Sequence, residues 1–160
     1  MSGTTGPTLA GFQWFVTNIM GISATYLPTT SPVIPWVFSI ALNIVNPDLQ
    51  VVGMSAQNGL PATNMYNVAV YNLAASLLLN TAQDQPGYEY FADQRAKFGT
   101  AKFTAGVVAS SSDVTTSESL DVAQWAKGLT VGQLEQLKDP YGRMYLTIAQ
   151  SYGPTIWVSV

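Results

Sequence analysis

Any reactive chemistry in this chain has to come from carboxylates, because it contains neither histidine nor cysteine. Nucleophilic triads of the Ser-His-Asp and Cys-His kinds are therefore excluded. Zinc and haem sites lose their usual ligands for the same reason. Two carboxylate groups stand close enough in sequence to be imagined as a glycosidase pair or an oxygen-ligand metal site: Asp84, Glu89 and Asp93, and further on Asp113, Glu118 and Asp121. Glu89 and Asp93 lie one helical turn apart, yet Arg95 and Lys97 follow closely and no apolar pocket around them is evident. Solvated charges on a helix face and a hairpin account for both groups. Asp139 and Arg143 are spaced to pair across the first turn of a helix, which is worth about a few tenths of a kcal/mol and reads as capping. Gly3-Thr4-Thr5-Gly6 lacks the Lys-Ser/Thr and the flanking strand of a phosphate loop. The expectation is a protein with no catalytic residues, no metal and no cofactor.

The distribution of charge is more informative than its chemistry. Of 160 residues, the first 83 contain a single ionised side chain, Asp48; the other fourteen Asp, Glu, Lys and Arg follow from Asp84 onward. Soluble monomers carry charge on about a quarter of their residues, against 9% here. Apolar residues reach 48%, so disorder is not expected. With six basic residues and no basic run, a nucleic-acid footprint is hard to build. The longest apolar stretch, residues 33–45, is interrupted by Pro35, Ser39 and Asn43, and residues 68–79 are broken by Asn72 and Ser76. Neither meets the roughly 20 apolar residues that a membrane span needs. No basic residue precedes an apolar N-terminal stretch, so no signal peptide is expected and cytoplasmic synthesis is the default. A half-chain without a charged coat must be hidden by its own core, by partner subunits or by lipid; partner subunits fit these features best.

The elements that would carry these residues read as follows. Residues 1–7 form a Ser/Thr/Gly arm with nothing to bury, expected to be mobile. Leu9, Phe12, Val16, Ile19 and Met20 recur at helical spacing, with Thr8 as N-cap and Gly21 as stop. Residues 25–30 are a polar connector, and Ser31-Pro32 offers a cap followed by proline at the first helical position. Ile34, Phe38, Leu42 and Val45 then form one stripe of a helix that must finish before Pro47. Residues 48–61, with the Asn58-Gly59 turn pair, read mostly as loop. Thr63 opens a helix to about Thr81 that is apolar nearly all round, as buried helices are. On it, Asn67 stands apart, while Asn72, Ser76 and Asn80 make an i, i+4 polar line expected to meet another polar surface inside the bundle or the assembly. After a turn at residues 83–87 comes an amphipathic, charged helix at residues 88–98. Past Gly99, residues 103–108 and 114–122 alternate like strands of a hairpin, with Ser111-Ser112-Asp113 between them. Thr130 starts a short helix with Leu134 and Leu137 inward. Asp139 as cap and Pro140 at the first position restart it. Tyr141, Met144, Tyr145 and Ile148 continue the inward stripe to Ser151, and Gly153-Pro154 ends it. Residues 155–160 read as a strand, with Ile156, Val158 and Val160 on one side and Trp157 on the other, suited to pairing with an edge in this chain or the next. The fold expected is mainly α: a small helical bundle in one domain, residues 8–154, with a protruding β-hairpin at about residues 103–122 and a strand-like C-terminal tail.

The order of elements in the C-terminal half carries a resemblance. A polar helix, a Gly-Val-Val and Ser/Thr-rich hairpin, a Leu-rich turn into Asp139-Pro140-Tyr141-Gly142-Arg143-Met144-Tyr145-Leu146 and a terminal strand together resemble the head-completion, or head-to-tail adaptor, proteins of tailed bacteriophages. Members often have a Pro-Tyr-Gly-Arg-like turn ahead of their last helix, matched here by Pro140, Tyr141, Gly142 and Arg143. The segment at residues 72–79, Asn-Leu-Ala-Ala-Ser-Leu-Leu-Leu, is similar to their central helix. The resemblance covers roughly residues 31–160.

What the resemblance implies is a structural protein of the virion neck. It would be a homo-oligomeric ring beneath the portal, expected to be dodecameric, assembled in the host cytoplasm. The ring would join the portal to the next neck or tail protein, with DNA passing non-specifically through its channel and no membrane contact. Candidate partner-interface residues are Tyr141 and Arg143; Ile156, Trp157, Val158 and Val160 of the tail; Asn72, Ser76 and Asn80 of the polar line; and Ser117 and Ser119 of the hairpin. Other phage assembly roles (a tail terminator, a stopper or a capsid-decorating protein) and a non-viral binding module remain alternatives at this point.

Overall fold

The computed structural model describes residues 6–54, 63–100, 111–113, 116–118 and 136–156. Among them the chain is mainly helical, with five α-helices: α1 (Leu9–Asn18), α2 (Val33–Ile44), α3 (Met65–Thr81), α4 (Tyr90–Phe98) and α5 (Pro140–Ile156). A 3₁₀ turn at Pro47–Val51 follows α2. Two short antiparallel ladders complete the described elements: β1 (Gly53–Met54) with β2 (Thr63–Asn64), and β3 (Ser111–Asp113) with β4 (Thr116–Glu118).

Helix α3 is the axis of the fold. Ala69, Val70, Leu73, Ala74, Ala75 and Leu78 are all fully buried, so small and large apolar residues cover more than one face. It packs most extensively on α5 and α2, with α1, α4 and the 3₁₀ turn around it. Its alanines let neighbouring backbones approach, while the leucines fill the space between them. The helix begins two residues later than Thr63, because Asn64 is the cap: its Oδ1 accepts from the Asn67 N–H at 2.8 Å. Thr63 instead pairs with Met54 in the β1–β2 ladder.

Local signals set most other boundaries. Thr8 caps α1, its Oγ1 accepting from the Gly11 N–H at 3.0 Å. Gly21, at φ 69°, turns the chain out of α1. In α2, Ile34, Val37, Phe38 and Ala41 are buried. That helix starts at Val33 with Pro32 in the cap position and no side-chain cap bond, so Ser31 does not cap as expected. The connector at residues 25–30 is less polar in effect than in composition, since Leu27 is a buried anchor, as is Ile22 just ahead of it. Residues 48–54, read as loop, instead hold the 3₁₀ turn, which buries Leu49, and strand β1.

Gln85-Pro86-Gly87-Tyr88 is a tight turn closed by a Tyr88 N–H to Gln85 carbonyl bond of 3.0 Å, with proline second and Gly87 at φ 85° third. Helix α4 ends in a paired C-terminal motif. The Thr100 N–H reaches the Arg95 carbonyl (2.9 Å) and the Gly99 N–H the Ala96 carbonyl (3.2 Å), with Gly99 left-handed.

Three expectations about the C-terminal half change. First, the β3–β4 ladder places Ser111, Ser112 and Asp113 in a strand facing Glu118, Ser117 and Thr116, not in the connection between strands. The remainder of the expected hairpin, and the helix expected from Thr130 up to residue 135, lie outside the described residues. Second, α5 runs through Gly153 and Pro154 to Ile156, so residues 155 and 156 are its last turn and not the start of a strand. Proline's fixed φ is helical, and near a helix end its missing amide removes a single hydrogen bond, here to the Gln150 carbonyl. Residues 157–160 lie outside the described residues. Third, Met144 is half exposed; the buried face of α5 carries Gly142, Leu146 and Ile148.

Candidate functional site

A junction between α3 and α5 gathers several of the residues singled out in the sequence. Asp139 is 0% exposed, and its carboxylate is divided between two tasks. Oδ1 accepts from the backbone N–H groups of Tyr141 (3.0 Å) and Gly142 (2.8 Å), capping α5. Oδ2 accepts from the Ser76 hydroxyl at 2.7 Å. The negative charge sits at the positive end of the α5 dipole, which favours it there. Gly142 is required by the same junction: a Cβ on it would fall against the Gln136 carbonyl oxygen and within 2.8 Å of the Gln136 Cα.

The polar line on α3 is thereby explained residue by residue. Ser76 meets the buried carboxylate. Asn72, also buried, donates to the Val68 carbonyl of its own helix at 2.8 Å, and exposed Asn80 donates to the Ser76 carbonyl at 2.9 Å. Asn72 and Ser76 are thus internal, Ser76 at the α3–α5 junction, and Asn80 alone of the three reaches the surface.

Arg143 does not pair with Asp139. It is exposed, and its Nη1 donates to the carbonyls of Leu137 (3.1 Å) and Lys138 (3.2 Å), tying down the turn that enters α5. Pro140, Tyr141, Gly142 and Arg143 thus form the first turn of the helix itself. Tyr141 is half-buried and meets the edge of Phe15 at 6.1 Å, joining α5 to α1. Its phenol pKa is raised, chiefly by desolvation and then by Tyr90 and Asp139.

The aromatic contacts continue from there. Phe15 meets Tyr71 (5.9 Å), and Phe12 stacks on Phe38 (5.8 Å). Beyond Tyr141, Tyr90 stacks on Tyr26 with centroids 4.9 Å apart, and Tyr88 meets Tyr26 edge-on at 5.4 Å. Tyr90 is likewise raised, by desolvation first and Tyr26 second, and Tyr145 by desolvation.

Of the carboxylates considered for chemistry, Asp84 has structural work. Asp84 caps α4 from the preceding turn, Oδ1 accepting from the Phe91 N–H (2.6 Å) and Oδ2 from the Ala92 N–H (2.9 Å). Arg95 stands 3.8 Å from Asp84 and donates to the Leu79 (3.2 Å) and Ala82 (2.8 Å) carbonyls at the end of α3. One arginine and one aspartate therefore close the α3–α4 corner. Reading Arg95 as part of a solvated face missed this, because its partners are carbonyls that leave no trace in composition. Among the described residues, no three acidic side chains converge into a group that could hold a metal ion. Nor is any helix among them long and apolar enough to cross a membrane.

Beside exposed polar residues such as Thr17, Asn18, Ser39 and Asn43, the charge-poor half exposes several large apolar side chains. Trp14 and Trp36 are 56% and 53% exposed, Ile19 and Ile44 are exposed to a similar degree, and Val51 is 88% exposed. These side chains project from α1, α2 and the 3₁₀ turn, whose buried faces already supply the core. Of the other candidates, Ser117 faces Ser112 in the β3–β4 ladder and Ile156 ends α5. Ser119, Trp157, Val158 and Val160 lie outside the described residues. Comparison with family models, with curated proteins and with solved structures finds no match to this chain.

Proposed function

We propose that this chain is a structural subunit without enzymatic activity, whose charge-poor half is covered by further copies and by adjoining proteins. The observation that carries this reading is the exposure of Trp14, Ile19, Trp36, Ile44 and Val51 on a stretch whose one ionised side chain is Asp48. Apolar and aromatic residues of this kind are enriched at the centres of protein interfaces, where charge is depleted. Large permanent interfaces are more apolar still.

The particular assembly follows from the resemblance of residues 31–160 to head-completion proteins of tailed phages. In that role the chain forms a ring in the virion neck, expected to be twelvefold, which joins the portal to the next neck or tail protein and lines the DNA channel. The hairpin about residues 103–122 and the C-terminal segment then reach towards neighbouring subunits by strand pairing. A small net charge of −3 suits a wall past which DNA slides without sticking.

Particle imaging of the purified chain, alone and with a portal ring, tests the proposal. Closed rings that stack on the portal are the expected result; dispersed single chains that ignore the portal contradict it. Deleting residues 156–160 is expected to impair ring formation while leaving the melting temperature of the subunit nearly unchanged. Rings forming at the normal rate from the truncated chain would remove the tail from the interface.

A further inference from the structure

From α3, Tyr71 reaches the start of α1 and holds both backbone groups of Thr8 with one hydroxyl. Its oxygen accepts from the Thr8 N–H at 3.1 Å, and its proton is donated to the Thr8 carbonyl at 3.4 Å. Thr8 is the N-cap of α1, so this one group grips the helix where it begins. The fit is close: a Cβ on Gly11 would fall on the Tyr71 hydroxyl. The ring meets Phe12 (6.1 Å), Phe15 (5.9 Å) and Phe38 (6.3 Å).

The rest of the hold on α1 is slight. Its buried residues are Phe12 and Val16, against ten on α3. Beside Val16, a cleft of about 130 Å³ among Gln13, Ile22, Leu27 and Ile34 leaves part of the seat without close contacts. The Gln13 amide ties the helix to the connector by donating to the Thr29 carbonyl at 3.2 Å. No acidic residue stands in the first turn of α1 and no basic one in its last, so nothing charged offsets the helix dipole. Ten residues are too few for a helix to persist in water without packing. The chain leaves α1 through Gly21, at φ 69°, a residue free to take up a change of direction.

We infer that α1 is a latched segment: it detaches and melts as a unit while α2, α3 and α5 stay folded, and the Tyr71 hydroxyl is the catch that keeps this rare. Elements with few buried apolar contacts open in this way, at less cost than global unfolding. Detachment uncovers the rings of Phe38 and Tyr71 on which Phe12 stacks, so α1 gates an aromatic surface that the closed chain hides. The device is complete within one copy and stands apart from the assembly proposed above.

Hydrogen exchange of the full chain in sub-denaturing urea resolves the event. Amides of residues 13–19 are expected to exchange through an opening that depends weakly on urea, and the buried amides of α3 through global unfolding, with its steep dependence. Ser76→Ala, which weakens the α3–α5 junction, should speed the α3 amides and leave α1 unchanged, because that contact survives the detachment. Tyr71→Phe keeps the ring and removes the catch; it is expected to speed exchange in α1 about five- to tenfold, the worth of one hydrogen bond. Gly11→Ala should speed α1 in the unmodified chain and add nothing in Tyr71→Phe, where the hydroxyl it displaces is gone. Amides of α1 that follow the urea dependence of α3, or that speed up with Ser76→Ala as α3 does, overturn the detachment. Unprotected α1 amides in the unmodified chain overturn it too, since nothing is then latched. Unchanged α1 exchange in Tyr71→Phe, or an equal effect of Gly11→Ala in both backgrounds, removes the hydroxyl as catch.

Discussion

Asp139 has the most consequential side chain in the described structure, because it fixes a helix start and a helix–helix contact with one carboxylate. Asp139→Ala is expected to destabilise the fold by about 2–3 kcal/mol, combining a lost N-cap with a lost buried hydrogen bond to a charged group. Asp139→Asn keeps an acceptor for the cap and should cost less. Ser76→Ala and Asp139→Ala are expected to be non-additive in urea unfolding, since each removes the same contact; strict additivity would mean the two residues are independent. Gly142 belongs to the same scale. Because a Cβ there meets backbone of Gln136 and not a movable side-chain tip, Gly142→Ala is expected to cost about 3 kcal/mol or more, read as a lowered thermal midpoint. Asp139 as a cap was legible from Asp-Pro alone. Its partner Ser76 was not, because the two lie 63 positions apart, and the polar line on α3 announced only that something polar had to meet it.

Helix positions were mostly legible, because the apolar spacing of α1 and α2, the nearly all-apolar α3 and the stop at Gly99 are each local. What the spacing could not carry were features set by distant contacts: the buried anchors Ile22 and Leu27, the Asp84–Arg95 corner, and the outward turn of Met144. Rules about glycine and proline misplaced the end of α5, since near a helix terminus the loss of one amide is tolerable. The aromatic contacts that join α1 to α5, and the connector to α4, give this scale its own prediction. Tyr90, Tyr141 and Tyr145 all hold their phenol protons more tightly in the folded chain, mainly through desolvation. Their contribution is therefore complete below the unfolded value of about 10 and is lost as pH rises through the higher folded values. Thermal midpoints measured across alkaline pH are expected to fall above about pH 10, and Tyr141→Phe should make that fall shallower. An identical fall in Tyr141→Phe would remove this tyrosine from the effect.

At the scale of the whole molecule, the division of charge is the feature that packing within one chain does not explain. The core already contains the inward faces of α1, α2 and α3, yet two tryptophans, two isoleucines and Val51 still face outward on the same stretch, whose one ionised side chain is Asp48. This was legible from the sequence as a shortage of charge, whereas which side chains are left outside became visible only from the fold. In the proposed assembly, burying them between subunits would contribute roughly 25 cal/mol for each Å² of apolar surface removed from water, against which the entropic cost of association is set. Sedimentation equilibrium of the intact chain over a range of micromolar concentrations in plain buffer measures this most directly. A mass that is a fixed multiple of 17.1 kDa, or that rises with concentration towards one, is the predicted result. A single-chain mass held constant up to the highest concentration, with the protein folded, would contradict it.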